Sequence, residues 1–219
     1  MTYYFEEPNK LTPQDIERLR RMMPSERQDR LDRFRFDKDK RLNAAAYALL
    51  LYALRERGCE VREPLRFDYN EYGKPYLRDF PELHFNLSHC DGAVACALSD
   101  YEVGLDIQDI TPTDSGVVHM TMSDSECGLI AGSTSPERMF TRLWTVKESY
   151  LKFVGSGLDG SLKKLDFTGC VSDCFMALGC CFCTKSTEDW YLTQCAAPAD
   201  AAAEMFVGLT IDDIRSVLI

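Results

Sequence analysis

Phe140-Thr-Arg-Leu-Trp-Thr-Val-Lys-Glu-Ser-Tyr-Leu-Lys-Phe153 is the stretch whose reading decides the fold. On a helix, Trp144, Lys147, Glu148, Leu151 and Lys152 fall at offsets 0, 3, 4, 7 and 8, so a ring, an acid and two bases lie roughly along one side. A stripe of that composition joins core anchoring to chemistry. The plainer alternative is a solvated helix whose Glu148–Lys152 pair contributes only about 0.2–0.5 kcal/mol. Pro136 suits the opening turn of this helix, and Gly155 and Gly157 end it in a flexible loop.

Working outward towards the N-terminus, Val103-Gly-Leu-Asp-Ile-Gln108 alternates, so Leu105 and Ile107 share one face of a strand and Asp106 and Gln108 the other. A carboxylate and an amide two residues apart on one strand face form half a site for a hard cation such as Mg2+, which prefers oxygen ligands. A carboxylate inside an apolar strand is costly unless paired, protonated or metal-bound. Phe85-Asn-Leu-Ser-His89 and the apolar run Ala93 to Leu98 read as two further strands. Glu71-Tyr-Gly-Lys-Pro75 is a turn, with Gly73 free to take positive φ and Lys74 at its tip.

Upstream, Leu42, Ala45, Ala46, Leu49, Leu50, Ala53 and Leu54 hold an unbroken helical period that stops at Gly58. Its alanine-rich side suits close packing against a sheet or helix. Thr12-Pro13-Gln14-Asp15 starts a shorter helix. Between the two, Arg27, Arg30, Arg33, Lys40 and Arg41 make a basic cluster, either a solvated face or the seat of a phosphate-rich ligand. Downstream of Gln108, Ser123-Asp-Ser-Glu126 is a capping box. Strands are expected near 163–170, 174–184, 189–196 and 205–210, followed by a short terminal helix, and no sequence repeat is visible.

Composition bounds the function. The 219 residues, 45% hydrophobic and 27% charged, describe an ordinary globular protein with a sizeable core. A formal net charge of −10 opposes broad binding to nucleic acid or an anionic membrane while permitting a local basic patch. The first ten residues lack the pattern of a signal peptide and no apolar run is long enough to span a bilayer, so a cytoplasmic location is expected. The ten cysteines are accordingly expected to be reduced, mostly buried thiols, and the single Cys180–Cys183 CxxC lacks the partners of a zinc site.

Val103-Gly-Leu-Asp-Ile107, Leu143-Trp-Thr-Val-Lys-Glu-Ser-Tyr-Leu-Lys152, Phe85-Asn-Leu-Ser-His89 and Tyr72-Gly-Lys-Pro75 together resemble, in order and spacing, the signature segments of the Sfp-type 4′-phosphopantetheinyl transferases. The resemblance implies an α+β fold of two similar halves about a pseudo-twofold axis, residues 1–105 and 106–219, with coenzyme A and Mg2+ (Mn2+ being possible) between them. It implies transfer of the phosphopantetheine arm of coenzyme A to a serine of an apo acyl or peptidyl carrier protein by a monomeric enzyme. Asp106 and Glu148, with Gln108, then look like metal ligands, and Lys147 and Lys152 would neutralise the phosphates. Lys74 and His89, with Arg30 and Arg41, would hold the adenosine and its 3′-phosphate, Asn86 and Ser88 adding hydrogen bonds. Glu148, or a water that it orients, would take the serine proton.

Two departures stand out. Many members carry an acid where this chain has Gln108, and Arg41 lies one position from its expected register. A coenzyme A-binding relative without turnover and a hydrolase of nucleotide pyrophosphates are the competing readings. For carrier docking, the expected surface is the segment from Val117 to Ile130, with Val118, Met120 and Met122 exposed.

Overall fold

The computed structural model describes residues 1–155, 162–170, 172–198 and 206–218. Its first half runs β1 (Thr2–Phe5), α1 (Pro13–Met22), α2 (Ser25–Arg33), α3 (Asp37–Glu56), the ribbon β2 (Phe67–Tyr69) and β3 (Pro75–Leu77), then β4 (His84–His89) and β5 (Val94–Ser99). The second runs β6 (Val103–Asp109), α4 (Ser115–Thr121), α5 (Asp124–Ala131), α6 (Pro136–Val154), β7 (Cys174–Ala177), β8 (Cys180–Ser186) and β9 (Trp190–Ala196). β10 (Phe206–Gly208) and α7 (Ile211–Ser216) close the described chain.

Two four-stranded sheets carry the architecture, in the orders β10-β1-β5-β4 and β6-β9-β8-β7. Each half begins with a strand, passes through two short helices and one long helix, and returns so that its last strand pairs antiparallel with its first. That repetition of topology gives the expected α+β pair of similar halves, although no repeat is visible in the sequence.

The division expected between residues 105 and 106 cuts through β6, all of which belongs to the second sheet. Moreover, β10 lies parallel beside β1, with Thr2 opposite Phe206, so the end of the chain completes the first sheet. The halves are therefore not consecutive pieces of sequence.

Burial follows residue type. α3 packs Ala44, Ala45, Ala48, Leu49 and Leu50 completely into the first core. On β5, Val94, Cys96 and Leu98 join that core, while Ala95 and Ala97, with Ala93 just before the strand, meet Val103, Leu105 and Ile107 of β6 in a second one between the sheets. Small side chains on one strand leave room for branched ones on the other.

Gly104 sets the approach of α6. A Cβ there would overlap the Ser149 carbonyl oxygen and the Phe153 backbone, so only glycine lets the helix lie this close to β6. α6 itself ends on Gly155, whose φ of +72° is the left-handed conformation of a helix C-cap.

Several local expectations are corrected. Ser25–Arg33 is a helix, although its arginines obscure an apolar period. Residues 163–170 form no strand: they begin within the 3-10 turn Leu162–Lys164 and continue irregularly. The strand expected over 174–184 is a hairpin folded at Leu178 and Gly179, both with positive φ. Gly157 and most of the alanine-rich 197–203 segment lie outside the described residues.

The cysteines are not all thiols either. Cys174 and Cys183, directly opposite each other across that hairpin with Cα atoms 4.3 Å apart, form a disulfide. Sequence spacing does not show it, because the pairing depends on the turn at Leu178 and Gly179 inside a stretch whose composition reads as one strand. Cys90, Cys96 and Cys180 are buried thiols as expected.

Candidate active site

The seam between the halves is where two sheet edges face each other. β4 ends the first sheet and β6 the second, so the outer N–H groups of β6 need acceptors that no strand supplies. Asn86 and Ser88 of β4 provide them: Asn86 Oδ1 accepts from Leu105 N at 3.1 Å and Ser88 Oγ from Ile107 N at 3.2 Å. These two residues, expected to contact ligand, therefore first serve to join the halves. The Ser88 hydroxyl also donates to Asp106 Oδ1 at 2.9 Å.

Asp106 sits on β6 with its side chain only 8% exposed, and Lys152 Nζ lies 2.6 Å from Oδ1 and 3.1 Å from Ser88 Oγ. One turn back along α6, Glu148 is also buried. Burial first, and then the negative charge of Asp106, hold the Glu148 carboxyl above its ordinary pKa, against the opposing pull of Lys152. Asp106 Oδ2 and Glu148 Oε1 are both buried and, among the described residues, have no hydrogen-bond partner.

Two mutually repelling carboxylates, each with an unsatisfied buried oxygen, fit a divalent cation. Mg2+ typically takes one or two carboxylates and completes its shell with water and phosphate oxygens. No group of three or more His, Cys, Asp or Glu able to hold a metal is found among the described residues. Gln108, two residues beyond Asp106 on the same strand face, is the remaining oxygen donor of the expected set; it lines a separate groove of about 300 Å³ with Thr141 and Trp144.

Lys147 is not part of this grouping. Its ammonium is wholly buried on another side of α6, 2.5 Å from Glu126 Oε2 and donating to the carbonyls of Thr121 and Leu162 at 2.9 and 2.8 Å. Consecutive helix residues point about 100° apart, so Lys147 and Glu148 diverge. Glu126 in turn accepts from Ser123 N and Phe167 N, so the pair ties α5, α6 and the 162–167 segment together.

The basic residues gather at the other end of the seam. His89 follows Ser88 at the end of β4, and desolvation by its surroundings, then the charges of Lys152 and Arg30, hold its imidazole below the ordinary pKa. Asp109, at the end of β6, accepts from Asp91 N at 2.7 Å and Gly92 N at 3.3 Å and so fixes the turn behind His89. Arg30 is exposed on α2. Arg41 lines a groove of about 350 Å³ with Lys38, Asp91 and Gly92, and its Nε is buried without a partner among the described residues.

Arg27, the first residue of the basic cluster, is more enclosed than an arginine-rich run suggests. Its guanidinium lies over the rings of Phe67 and Tyr47 at 4.8 and 5.7 Å, its Nε is likewise unsatisfied, and burial lowers its pKa. The arginine-rich run was the only available signal. Lys74 reaches the seam, lining a groove of about 340 Å³ with Tyr72, Asn86, Glu148, Leu151 and Lys152.

Comparison with known proteins gives the family. Residues 102–202 match the 4′-phosphopantetheinyl transferase superfamily and residues 10–100 the 4′-phosphopantetheinyl transferase N-terminal region. The chain is 30% identical to the 4′-phosphopantetheinyl transferase psf-1 of Bacillus pumilus over 93% of this chain and 91% of that protein. It is 28% identical to the 4′-phosphopantetheinyl transferase Sfp of Bacillus subtilis (strain 168) over 71% of this chain and 69% of that one. A more distant relative is the L-aminoadipate-semialdehyde dehydrogenase-phosphopantetheinyl transferase of Saccharomyces cerevisiae, 30% identical over 79% and 67% respectively. With a match along nearly its whole length and a carboxylate–lysine seam between two like halves, the chain belongs to the 4′-phosphopantetheinyl transferases, a family of enzymes.

Proposed function

We propose that this protein transfers the 4′-phosphopantetheine arm of coenzyme A to a serine of an apo acyl or peptidyl carrier protein, releasing adenosine 3′,5′-bisphosphate. The observation that carries the reading is the buried Asp106–Glu148 pair, each with an unsatisfied oxygen, beside Lys152. The relatives' names support the transfer, and the pair supports its dependence on a divalent cation. Mg2+ is the ion that suits this oxygen set, and Mn2+ is the substitute. When bound, it would neutralise phosphate charge in the transition state.

The chain's own residues do the rest. The serine oxygen forms a bond to the phosphorus that bears the pantetheine arm. The bond from that phosphorus to the bridging oxygen breaks, leaving the electron pair on adenosine bisphosphate. Glu148, a buried carboxylate with an unsatisfied oxygen, is suited to accept the serine proton directly or through a water that it orients. Lys152 offsets charge on the phosphate nearest Asp106. His89, Arg30 and Arg41, with Arg27, hold the adenosine 3′-phosphate end.

Carrier docking is assigned to α4 and α5. Met120 is 72% exposed and Val117 37%, whereas Met122 is fully buried and Val118 is half-buried against the core beneath, so both are withdrawn from that surface. No helix among the described residues is long and apolar enough to cross a membrane; a cytoplasmic monomer remains part of the proposal.

Intact-mass spectrometry of apo carrier proteins incubated with this protein, coenzyme A and Mg2+ is the test. A gain of one phosphopantetheine arm, abolished in Glu148→Ala, is the expected result. Coenzyme A binding without any gain would favour the non-transferring relative, with Gln108 as its cause. Loss of coenzyme A without an acceptor would favour the hydrolase.

A further inference from the structure

We infer that Lys74 is the bolt of a latch between the halves rather than a phosphate ligand, and that Glu102, which holds it, is a positioning residue for coenzyme A. The inference rests on the transfer reading only for its ligand. An ammonium has three N–H donors. Those of Lys74 face the Glu102 carboxylate at 2.7 Å, the Phe153 carbonyl at 3.3 Å and the Val103 carbonyl at 3.4 Å. The side chain is 16% exposed, so its charge is spent inside the protein.

Asn70 works alongside it. Asn70 Oδ1 accepts from Tyr72 N at 2.9 Å and Lys74 N at 2.8 Å, which shapes the turn, while Nδ2 donates to the Gly155 carbonyl at 3.2 Å. The last carbonyls of a helix have no partner within it, and its C-terminal end favours positive charge. At the end of α6, Lys74 and Asn70 of the other half supply both needs.

The latch spans the groove that would take the ligand. Tyr72, Gly73, Lys74 and Pro75 of the turn line it together with Glu148, Leu151 and Lys152 of α6, so the turn's hold on α6 sets their separation. Glu102 itself is absent from this lining and also lies 3.1 Å from His84 Nδ1. Lys74, which it holds at 2.7 Å and with which it lines the adjoining cavity of about 220 Å³, is its link to the groove.

The two roles for Lys74 predict opposite signs. Were Lys74 a phosphate ligand restrained by Glu102, Glu102→Ala would release it and strengthen coenzyme A binding. A latch predicts weaker binding instead: KM for coenzyme A rises about tenfold, the equivalent of one charge-assisted hydrogen bond, while kcat stays within about twofold. Glu102→Gln, which keeps an acceptor oxygen, recovers part of the loss. An unchanged or lowered KM overturns the inference.

Amide hydrogen exchange on the unliganded protein decides the matter without reference to activity. The latch predicts that Glu102→Ala speeds exchange at both Lys74 and Gly155, whose amides bond to Asn70 Oδ1 and the Leu151 carbonyl. Unaltered exchange at Gly155 overturns it. If the wild-type protein neither binds coenzyme A nor transfers, the transfer reading fails and the exchange result still stands.

Discussion

α3 and α6 hold the same place in their halves, each laid on a four-stranded sheet after two short helices, yet they bury different chemistry. α3 turns a face of alanine and leucine to its sheet. α6 buries Thr141, Arg142, Thr145, Lys147, Glu148 and Ser149 along with its apolar residues. Burial of polar groups is unfavourable unless each finds a partner, so α6 is held in place by specific pairings and α3 by volume. One scaffold used twice has one copy bearing the core and the other bearing the site. The first half is sensitive to lost volume and the second to lost partners, the Asp106–Glu148 pair of the site being the place where unsatisfied oxygens are kept.

The largest expected break in this comparison is at Gly104. Gly104→Val places atoms inside the α6 backbone, and folded protein is expected to be lost, as soluble yield and circular dichroism will show. Gly128, with open space around its missing Cβ, is the control: Gly128→Ala leaves the unfolding midpoint unchanged or higher.

Next is the buried pair. Lys147→Met strands the Glu126 carboxylate and is expected to cost about 3–5 kcal/mol in urea unfolding. Lys147→Met combined with Glu126→Gln should recover part of that loss. If Lys147→Met abolished transfer with stability intact, the structural role assigned to Lys147 would be wrong.

A third pair of variants separates the two helices directly. Leu49→Ala on α3 should lower stability by about 2–5 kcal/mol while the folded fraction keeps its turnover. Glu148→Gln on α6 should leave stability unchanged or raised, because it removes a desolvated charge, and lower kcat by about 10²–10⁴. Equal stability losses in both would erase the distinction.

The smallest effect concerns Asp15 at the start of α1. Burial pushes its carboxyl up, but hydrogen bonds from the Thr12 backbone, Arg215 and the Thr12 hydroxyl outweigh this and hold it below its ordinary 3.8. A depressed folded pKa stabilises fully above the ordinary value and is lost as pH falls through the folded one. Asp15→Asn is therefore expected to cost about 1 kcal/mol near neutrality and to flatten the acid limb of the stability curve below pH 3.8.

Legibility in the sequence tracked periodicity. α3, α6 and the β4–β5–β6 run were readable because their apolar residues recur at one period over many positions. α2 was not, since a nine-residue helix burying Leu31 alone shows almost no stripe. Asp106 and Glu148 were found through motif and strand alternation. The direction of Lys147 was hidden, because a stripe of five residues spans enough of the helix circumference to face two environments. Asn86, Ser88 and Lys74 looked like ligand contacts because sequence displays their polar atoms and not the edge strand and helix end that occupy them.

The return of β10 to the side of β1 bears on how the chain assembles. When β1 to β5 leave the ribosome, their sheet has an outer edge whose partner has not been made, and that edge stays open until synthesis of the whole second half. The half encoded first is thus completed last. A nascent chain stalled after β9 would present β1 as a template for foreign strands, and separately expressed halves cut at the middle of the sequence would leave β10 and α7 on the wrong fragment.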